Sequence, residues 1–148
     1  MKKQILVAAA LFTLSSSNYA DPLTSTQINE MVTNDNKTLP AMVDKETKLL
    51  KESVDSSAFH YNYQIINMKA KDIDTNQFNL AMKTKLQPVV CTNSFAKQLF
   101  DSGLNISFDY VDKENAPITN IVLKNSDCPA TTPTAPAAAA PTPTVPAQ

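Results

Sequence analysis

Residues 58–68 read AFHYNYQIINM, and the alternation in this stretch decides the class of fold. Apolar and polar side chains take turns along it: Phe59, Tyr61, Tyr63 and Ile65 alternate with His60, Asn62 and Gln64. A two-residue period is typical of a β-strand that is buried on one face. The preceding KETKLLKESVD, residues 45–55, is a weaker strand pattern, and the serines at 56 and 57 mark a turn. The sequence therefore predicts a β-hairpin.

The same alternation returns nearer the C-terminus. Here the apolar side chains are Leu104, Ile106, Phe108 and Tyr110, and the polar side chains between them are Asn105, Ser107 and Asp109. The turn-rich DKENAP, residues 112–117, then leads into ITNIVLKN, residues 118–125. A second hairpin follows, which brings the predicted sheet to four antiparallel strands.

Two other regions have the spacing of amphipathic helices. In TSTQINEMVTNDNKTLP, Thr24 and Gln27 have the spacing of a capping box, and Pro40 limits the helix. In DTNQFNLAMKTKLQPVVCTN, residues 74–93, apolar side chains recur every fourth position, at Phe78, Met82 and Leu86.

A shorter helix follows Pro88, which is predicted to break the preceding helix near its end. Asn93 or Ser94 can cap this second segment, FAKQLFDS, residues 95–102. Gly103, the only glycine of the chain, comes next and precedes a strand. We interpret it as the helix stop, because glycine adopts the positive φ of this position without a steric penalty.

These elements predict a small α+β domain in the order α-β-β-α-α-β-β. The N-terminal helix and the broken helix are expected to pack on one face of the four-stranded antiparallel sheet. The side chains expected to point inward are Phe59, Tyr61, Tyr63, Ile65, Phe78, Met82, Leu86, Phe95, Leu99, Leu104, Ile106, Phe108, Tyr110 and Ile121. The opposite face is a possible contact surface, and it carries His60, Asn62, Gln64, Asn105, Ser107 and Asp109.

The first 20 residues have the three parts of a secretory signal peptide. A basic pair at Lys2 and Lys3 precedes an apolar run, residues 5–14, and a small polar stretch ends at Ala20. The run is about half the length that spans a bilayer. We expect cleavage after Ala20, and a cut after Ser17 also fits. The mature protein is therefore predicted to be periplasmic or secreted.

The other end, residues 129–148, reads PATTPTAPAAAAPTPTVPAQ and has no charged or aromatic residue. A segment with so little to bury is expected to stay extended and mobile. Threonine interleaved with proline and alanine is also the composition of O-glycosylated stalks. The predicted organisation is a signal peptide at 1–20, one domain at 21–128 and this tail.

Charge excludes one class of partner. The whole chain has 13 basic and 14 acidic residues, and removal of Lys2 and Lys3 leaves 11 against 14, a net charge of −3. Every basic residue is a lysine, so the arginine fork that binds phosphates and base edges is missing. No later apolar run has the length of a transmembrane helix. We expect a protein partner rather than nucleic acid or a bilayer.

The two cysteines, Cys91 and Cys128, are expected to form a disulfide in an oxidising compartment. Closing a loop of this length stabilises a domain by about 4 kcal/mol on the chain-entropy model. The alternative, an activated Cys91 thiolate near the start of the Ser94 helix, needs a nearby base. The single histidine, His60, alternates onto the polar side of its strand, and a disulfide bars the nucleophile.

Other reactive groupings are sparse. His60 and Asp109 can pair if the two central strands are neighbours. DIDTN, residues 72–76, lacks the glycine and distal glutamate of a calcium loop. No catalytic set, metal site or cofactor is predicted.

Several segments resemble a group of short bacterial exported proteins. They are LPAMVDKETKL, FHYNYQIIN, VVCTN, GLNISFDYVDKENAPI and the closing SDC. The shared features are an LP-x-MVD-x-ET-x-L opening, a Y-x-Y strand and two spaced cysteines, over most of residues 39–128. The resemblance supports the domain limits and the cysteine pair, and it implies no activity.

The function favoured by these observations is an exported, non-catalytic interaction module of the bacterial envelope or medium. A secreted factor or inhibitor that acts on a host or competitor protein fits the same residues. A hydrolase with an unrecognised site is the third alternative.

Overall fold

The computed structural model describes residues 21–129. The predicted signal peptide and residues 130–148 of the predicted tail lie outside the described residues. Three α-helices and five β-strands occupy the described range. In chain order they are α1 Ser25–Asp35, β1 Ala41–Met42, β2 Thr47–Val54, β3 Ala58–Ile65, α2 Thr75–Thr92, α3 Ser94–Asp101, β4 Asn105–Val111 and β5 Pro117–Leu123.

All five strands form one sheet in the order β1-β2-β3-β4-β5. The pair β3–β4 is parallel and the other three pairs are antiparallel. The predicted α+β class is confirmed, but the four-stranded antiparallel sheet is wrong in two respects. The short β1 adds a fifth strand, and the sheet is mixed.

The parallel pair has a simple cause in the connection. Both predicted hairpins are present, as β2–β3 and β4–β5. Between them the chain crosses over through α2 and α3, so β4 starts at the same end of the sheet as β3. Phe59 therefore pairs with Ile106, and Tyr61 with Phe108, on the same face.

The prediction that Pro88 breaks the long helix is also wrong. Helix α2 runs through Pro88 to Thr92 and ends at the cap residue Asn93. A proline removes one backbone hydrogen bond from a helix. The segment beyond it is held by the buried Val90 and by the disulfide at Cys91, so the helical path continues.

The helix ends follow the local sequence. Thr24 and Gln27 form a capping box at α1, and the Asn93 side chain accepts a hydrogen bond from the Ala96 backbone N–H at α3. Gly103 has a φ of 83°. Its backbone N–H donates to the Phe100 carbonyl, and the next N–H donates to the Leu99 carbonyl. This is the hydrogen-bond pattern of a Schellman motif, which the helix-stop interpretation requires.

The core lies between the sheet and the three helices. Helix α1 packs on β2, α2 packs against β5 and α3, and α3 packs on β4. All fourteen side chains expected to point inward are buried or pack against the buried cluster. The core also includes side chains outside that prediction: Ile28, Val90, Ala96, Ile118 and Leu123.

Asn36, just after α1, ties this helix to the edge of the sheet. Its amide donates to the Glu52 backbone carbonyl and accepts from the Glu52 backbone N–H, both at 2.8 Å. These groups lie on β2 beyond Leu49, the last residue of β2 that pairs with β1. The side chain thus satisfies an edge that would otherwise be open to another strand.

Cys91 on α2 and Cys128 after β5 are joined by a disulfide, with their Cα atoms 5.3 Å apart. The bond attaches the C-terminal end of the domain to the second half of α2. Within residues 21–129 no helix is both long and apolar enough to cross a membrane.

Candidate functional site

The two faces of the central strands β3 and β4 are chemically different. One face is polar and carries the six side chains predicted as a contact surface, of which Ser107 is buried. The other faces the helices and carries the aromatic side chains. The parallel register pairs His60 with Ser107 and Asn62 with Asp109, so the predicted polar residues do lie together.

His60 is the centre of the polar face. Its Nδ1 lies 2.9 Å from an Asp109 carboxylate oxygen, and its Nε2 lies 3.1 Å from a carboxylate oxygen of Asp55. Asp109 also accepts hydrogen bonds from Ser107 and Asn120. The pair of His60 with Asp109 that neighbouring central strands would allow is therefore formed, and Asp55 extends it.

The charges around His60 argue against a catalytic base. Partial burial of the ring lowers its pKa, but the hydrogen bonds and negative charges of Asp109 and Asp55 outweigh burial, so the pKa of His60 is raised. Both ring nitrogens are engaged by carboxylates, which favours the imidazolium form. A general base needs a free nitrogen for the proton it takes. The arrangement stabilises the sheet rather than activating a nucleophile.

Metal-binding groups do not converge in the part of the chain that the structure describes. Between residues 21 and 129, no three His, Cys, Asp or Glu side chains cluster as ligands would. The Cys91 sulfur is bonded to Cys128 and so is not a thiolate.

The opposite face of β3 forms the floor of a groove. Helix α1 lies over β2, whereas α2 and α3 lie toward β4 and β5, so β3 falls in the gap between them. A cleft of about 270 Å³ opens there. We call it the aromatic groove; its floor includes Tyr61, Tyr63 and Phe108, and its wall includes Leu86 and Val89 of α2. Val89 is 63% exposed although it is apolar.

The floor of the aromatic groove is a stacked row of rings. The ring centroids of Tyr61 and Phe108 are 5.5 Å apart, with nearly parallel planes. Tyr63 stacks in the same way on Tyr110, at 5.4 Å, although Tyr110 itself is buried and does not line the groove. Burial raises the pKa of all three tyrosines. Within residues 21–129 their hydroxyls form no hydrogen bond, and their oxygens keep contact with solvent. Tyrosine hydroxyls usually find a partner when they are covered.

Glu52 lies at the β2 side of this floor. It pairs in register with Tyr61, so its side chain is on the same face. Burial, together with the negative charge of Asp35 and a side-chain hydrogen bond to it, raises the pKa of Glu52 to about 7. One carboxyl oxygen, Oε2, is buried and accepts no hydrogen bond from an N–H or a hydroxyl of residues 21–129. Leu86 and Val89 of α2 thus line the aromatic groove, and Glu52 lies on the same face of the sheet as Tyr61 but outside the lining.

A larger depression of about 460 Å³ lies beside the disulfide. Its lining includes Lys97, Asp101 and Pro129. Pro129 is the last residue that the structure describes. Described residues alone line both cavities, and the aromatic groove differs in having tyrosine and phenylalanine rings as its floor.

Sequence reasoning placed the groove tyrosines inward but missed that the helices leave them half-covered. It also missed Glu52. The register of β2 shifts between Leu49 and Lys51, which disrupts the two-residue period in KETKLLKESVD. The sequence did contain one signal for Glu52: it lies two positions before the apolar Val54, so the two side chains lie on the same face of the strand.

Comparisons with known proteins identify similar folds. No protein-family model matches the sequence, and no curated protein matches it by sequence. The fold is similar to that of a candidate secreted protein from Pseudomonas aeruginosa, with a TM-score of 0.61 and 15% identity, covering 71% of this chain and 92% of that one. It is also similar to EpsS, the pilotin of the Vibrio vulnificus type 2 secretion system, with a TM-score of 0.50 and 14% identity over 70% of this chain and 94% of that one.

A third similar structure is AspS, the type II secretion system pilotin of Vibrio cholerae, with a TM-score of 0.50 and 11% identity. The alignment covers 67% of this chain and 86% of the pilotin. At these identities the likeness concerns the fold.

Proposed function

We propose that this protein is an exported, non-catalytic module that binds a protein partner in the aromatic groove. The observation that carries the proposal is the row of stacked rings in the gap between α1 and α2, with free tyrosine hydroxyls. Tyrosine combines a large apolar surface with a polar tip, and it is enriched at protein interfaces. The half-covered Tyr61 and Tyr63 lie beside the exposed Val89, and this apolar surface gains from being covered.

Export is supported by the signal-like first 20 residues and by the disulfide, which persists in oxidising compartments. The proteins of similar fold are a candidate secreted protein and two pilotins of type 2 secretion systems. These comparisons support a role in the periplasm or outside the cell. A helper or adaptor role in the envelope is accordingly the form of the proposal that we favour.

The binding face can be tested with two neighbouring residues. A photo-crosslinking amino acid at Tyr63 reports on the aromatic groove, and one at Asn62 reports on the polar face, one position away on the same strand. We expect the cells that export the protein to yield a specific adduct from Tyr63 and none from Asn62. An adduct from Asn62 alone would move the contact to the predicted polar face, and no adduct from either would refute both.

A matched pair of surface variants controls this experiment. Val89→Lys places a charge in the wall of the aromatic groove, whereas Leu80→Lys places the same charge elsewhere on α2. Both side chains are largely exposed, at 63% and 71%, so neither substitution empties the core. We expect Val89→Lys to suppress the Tyr63 adduct and Leu80→Lys to leave it intact.

A further inference from the structure

We propose that the proline-rich tail of this same chain docks in the aromatic groove, with residues 133–136, PTAP, over the rings of Tyr61 and Tyr63. The inference rests on the proposed function and adds its regulation, because a docked tail competes with the partner protein for one surface. The partner would then have to displace the tail in order to bind.

The aromatic groove and the tail match in charge. Among the described residues that line the groove, none is acidic or basic, and the side chains are aliphatic, aromatic or, at Asn93, an amide. A charged side chain covered there would lose its water without gaining an ion pair. Charged residues make up 18% of the chain, yet residues 129–148 contain none. The tail can therefore cover the groove without that cost.

The spacing of the tail prolines suits a row of aromatic rings. Pro133 and Pro136 have the P-x-x-P spacing, as do Pro143 and Pro146. A polyproline II helix has three residues per turn, so both prolines of such a pair lie on one face. Segments of this kind dock in aromatic-lined grooves at a low cost in entropy, because the helix is formed before binding. The stacked rings in the floor of the aromatic groove are a surface of that kind.

The groove tyrosines supply hydrogen-bond donors for such a segment. Within residues 21–129 the hydroxyls of Tyr61 and Tyr63 donate to no acceptor. A polyproline II helix has no internal hydrogen bonds, so its backbone carbonyls are available as acceptors. A docked tail thus provides both apolar cover for the rings and partners for the hydroxyls.

The described chain ends beside the aromatic groove. Pro129 lines the depression next to the disulfide, and Val90 lines both that depression and the groove. Leu86 in the groove wall lies four residues before Val90 on α2, about 6 Å along the helix axis. Four residues of polyproline II beyond Pro129 span about 12 Å, so Pro133 can reach the groove.

The nearer proline pair is favoured over the farther one. Pro133 and Pro136 follow Pro129 by four and seven residues, whereas Pro143 and Pro146 follow it by 14 and 17. The local concentration of a tethered segment falls once the tether is longer than the span. A short tether keeps this concentration on the order of millimolar, so even a weak contact would keep the groove covered.

Nuclear magnetic resonance of the mature chain, purified after export, tests the docking without any partner. We expect backbone order parameters above about 0.6 at Thr134 and Ala135. Replacing Pro133 and Pro136 together by alanine should lower these values below about 0.6 and shift the amide signals of the groove residues. Low order at both positions in the natural chain, with unshifted groove amides in this variant, would overturn the proposal.

Matched variants control the measurement. The same double replacement at Pro143 and Pro146 should leave the order parameters and the groove amides unchanged. Val89→Lys should release the tail, whereas Leu80→Lys should not. An intramolecular contact is also independent of protein concentration. Groove shifts that disappear on dilution would assign the tail to a second copy and refute the proposal.

The crosslinking amino acid at Tyr63 separates this inference from the proposed function. Alanine at Pro133 and Pro136 should raise the yield of the partner adduct about twofold or more, because the tail no longer competes. An unchanged yield would refute the competition. If the tail docks and no adduct forms, the proposed function fails and the docking stands. If the adduct forms and the groove amides ignore the tail, only the docking is refuted.

Discussion

Replacing Glu52 by glutamine should stabilise the domain more at pH 8 than at pH 5. Burial and the neighbouring Asp35 raise the pKa of Glu52 from 4.5 to about 7. Well below pH 4.5 the carboxyl is neutral in both the folded and the unfolded chain. As the pH rises, the unfolded chain ionises first while the folded chain keeps its proton. The free energy of unfolding therefore falls, and the loss is complete above the folded pKa.

The size of this loss follows from the two pKa values. A carboxyl wholly removed from water would lose about 3 kcal/mol over such a change. Glu52 is only half-buried, and screening by solvent reduces the expected loss to about 1–2 kcal/mol. Glutamine has no charge to acquire, so the variant avoids the loss. For a domain of this size the gain at pH 8 corresponds to a rise in Tm of about 5–10 °C.

Urea unfolding followed by circular dichroism, at pH 5, 6, 7 and 8, measures the effect directly. The quantity of interest is the difference in unfolding free energy between Glu52→Gln and the natural chain. His60 titrates in both proteins, so its contribution cancels. Glu30→Gln, at an exposed position of α1, is the matched control. The same difference at pH 5 and pH 8 would refute the assignment of Glu52 as a half-buried, uncompensated acid.

Three further predictions concern stability. Replacing Gly103 by asparagine, alanine or valine should lower the free energy of urea unfolding by increasing amounts, with about 1 kcal/mol for alanine. An added Cβ meets no atom within 4 Å, so the cost comes from the backbone conformation, and a stabilising alanine would contradict the helix stop. Replacing Cys91 and Cys128 together by alanine should lower the unfolding free energy by about 4 kcal/mol on the chain-entropy model, and labelling of either thiol in the folded, non-reduced protein would disprove the bond. The pKa of His60 is raised above its usual 6.5, so the contribution of its positive charge to the stability of the fold is complete below pH 6.5 and is lost as the pH rises through the folded pKa. His60→Asn should therefore destabilise the domain more at pH 5 than at pH 8. An equal effect at the two pH values would mean that the charge is not involved.

Most of the fold could be predicted from local patterns in the sequence. The alternation around Tyr61 and Phe108 identified the two central strands, and Gly103 marked the end of α3. These features depend on neighbours within a few positions, which a sequence displays directly. Pro88 was misleading because the helix around it is held by distant contacts, which a local rule does not include.

The direction of the central pair and the candidate site depend on relations between elements. Whether β3 and β4 run parallel is decided by the path of the crossover through α2 and α3, not by the residues of either strand. The aromatic groove exists because α1 and α2 stand apart over β3. The sequence does not show that Glu52 is half-buried and has a raised pKa. These properties depend on the strand register, which pairs it with Tyr61, and on the nearby charge of Asp35 at the end of α1.

The parallel pairing of β3 with β4 also sets an order of events for a chain that emerges N-terminus first from a translocation channel. Strands β2 and β3 are adjacent in sequence and can pair at once, but Ala58 must wait for Asn105 before the central pair closes. Contacts between distant residues form slowly because a long loop must be closed first. During that interval the rings of Tyr61 and Tyr63 lie on an incomplete sheet, so a chain of this topology exposes the most apolar surface before residue 105 arrives.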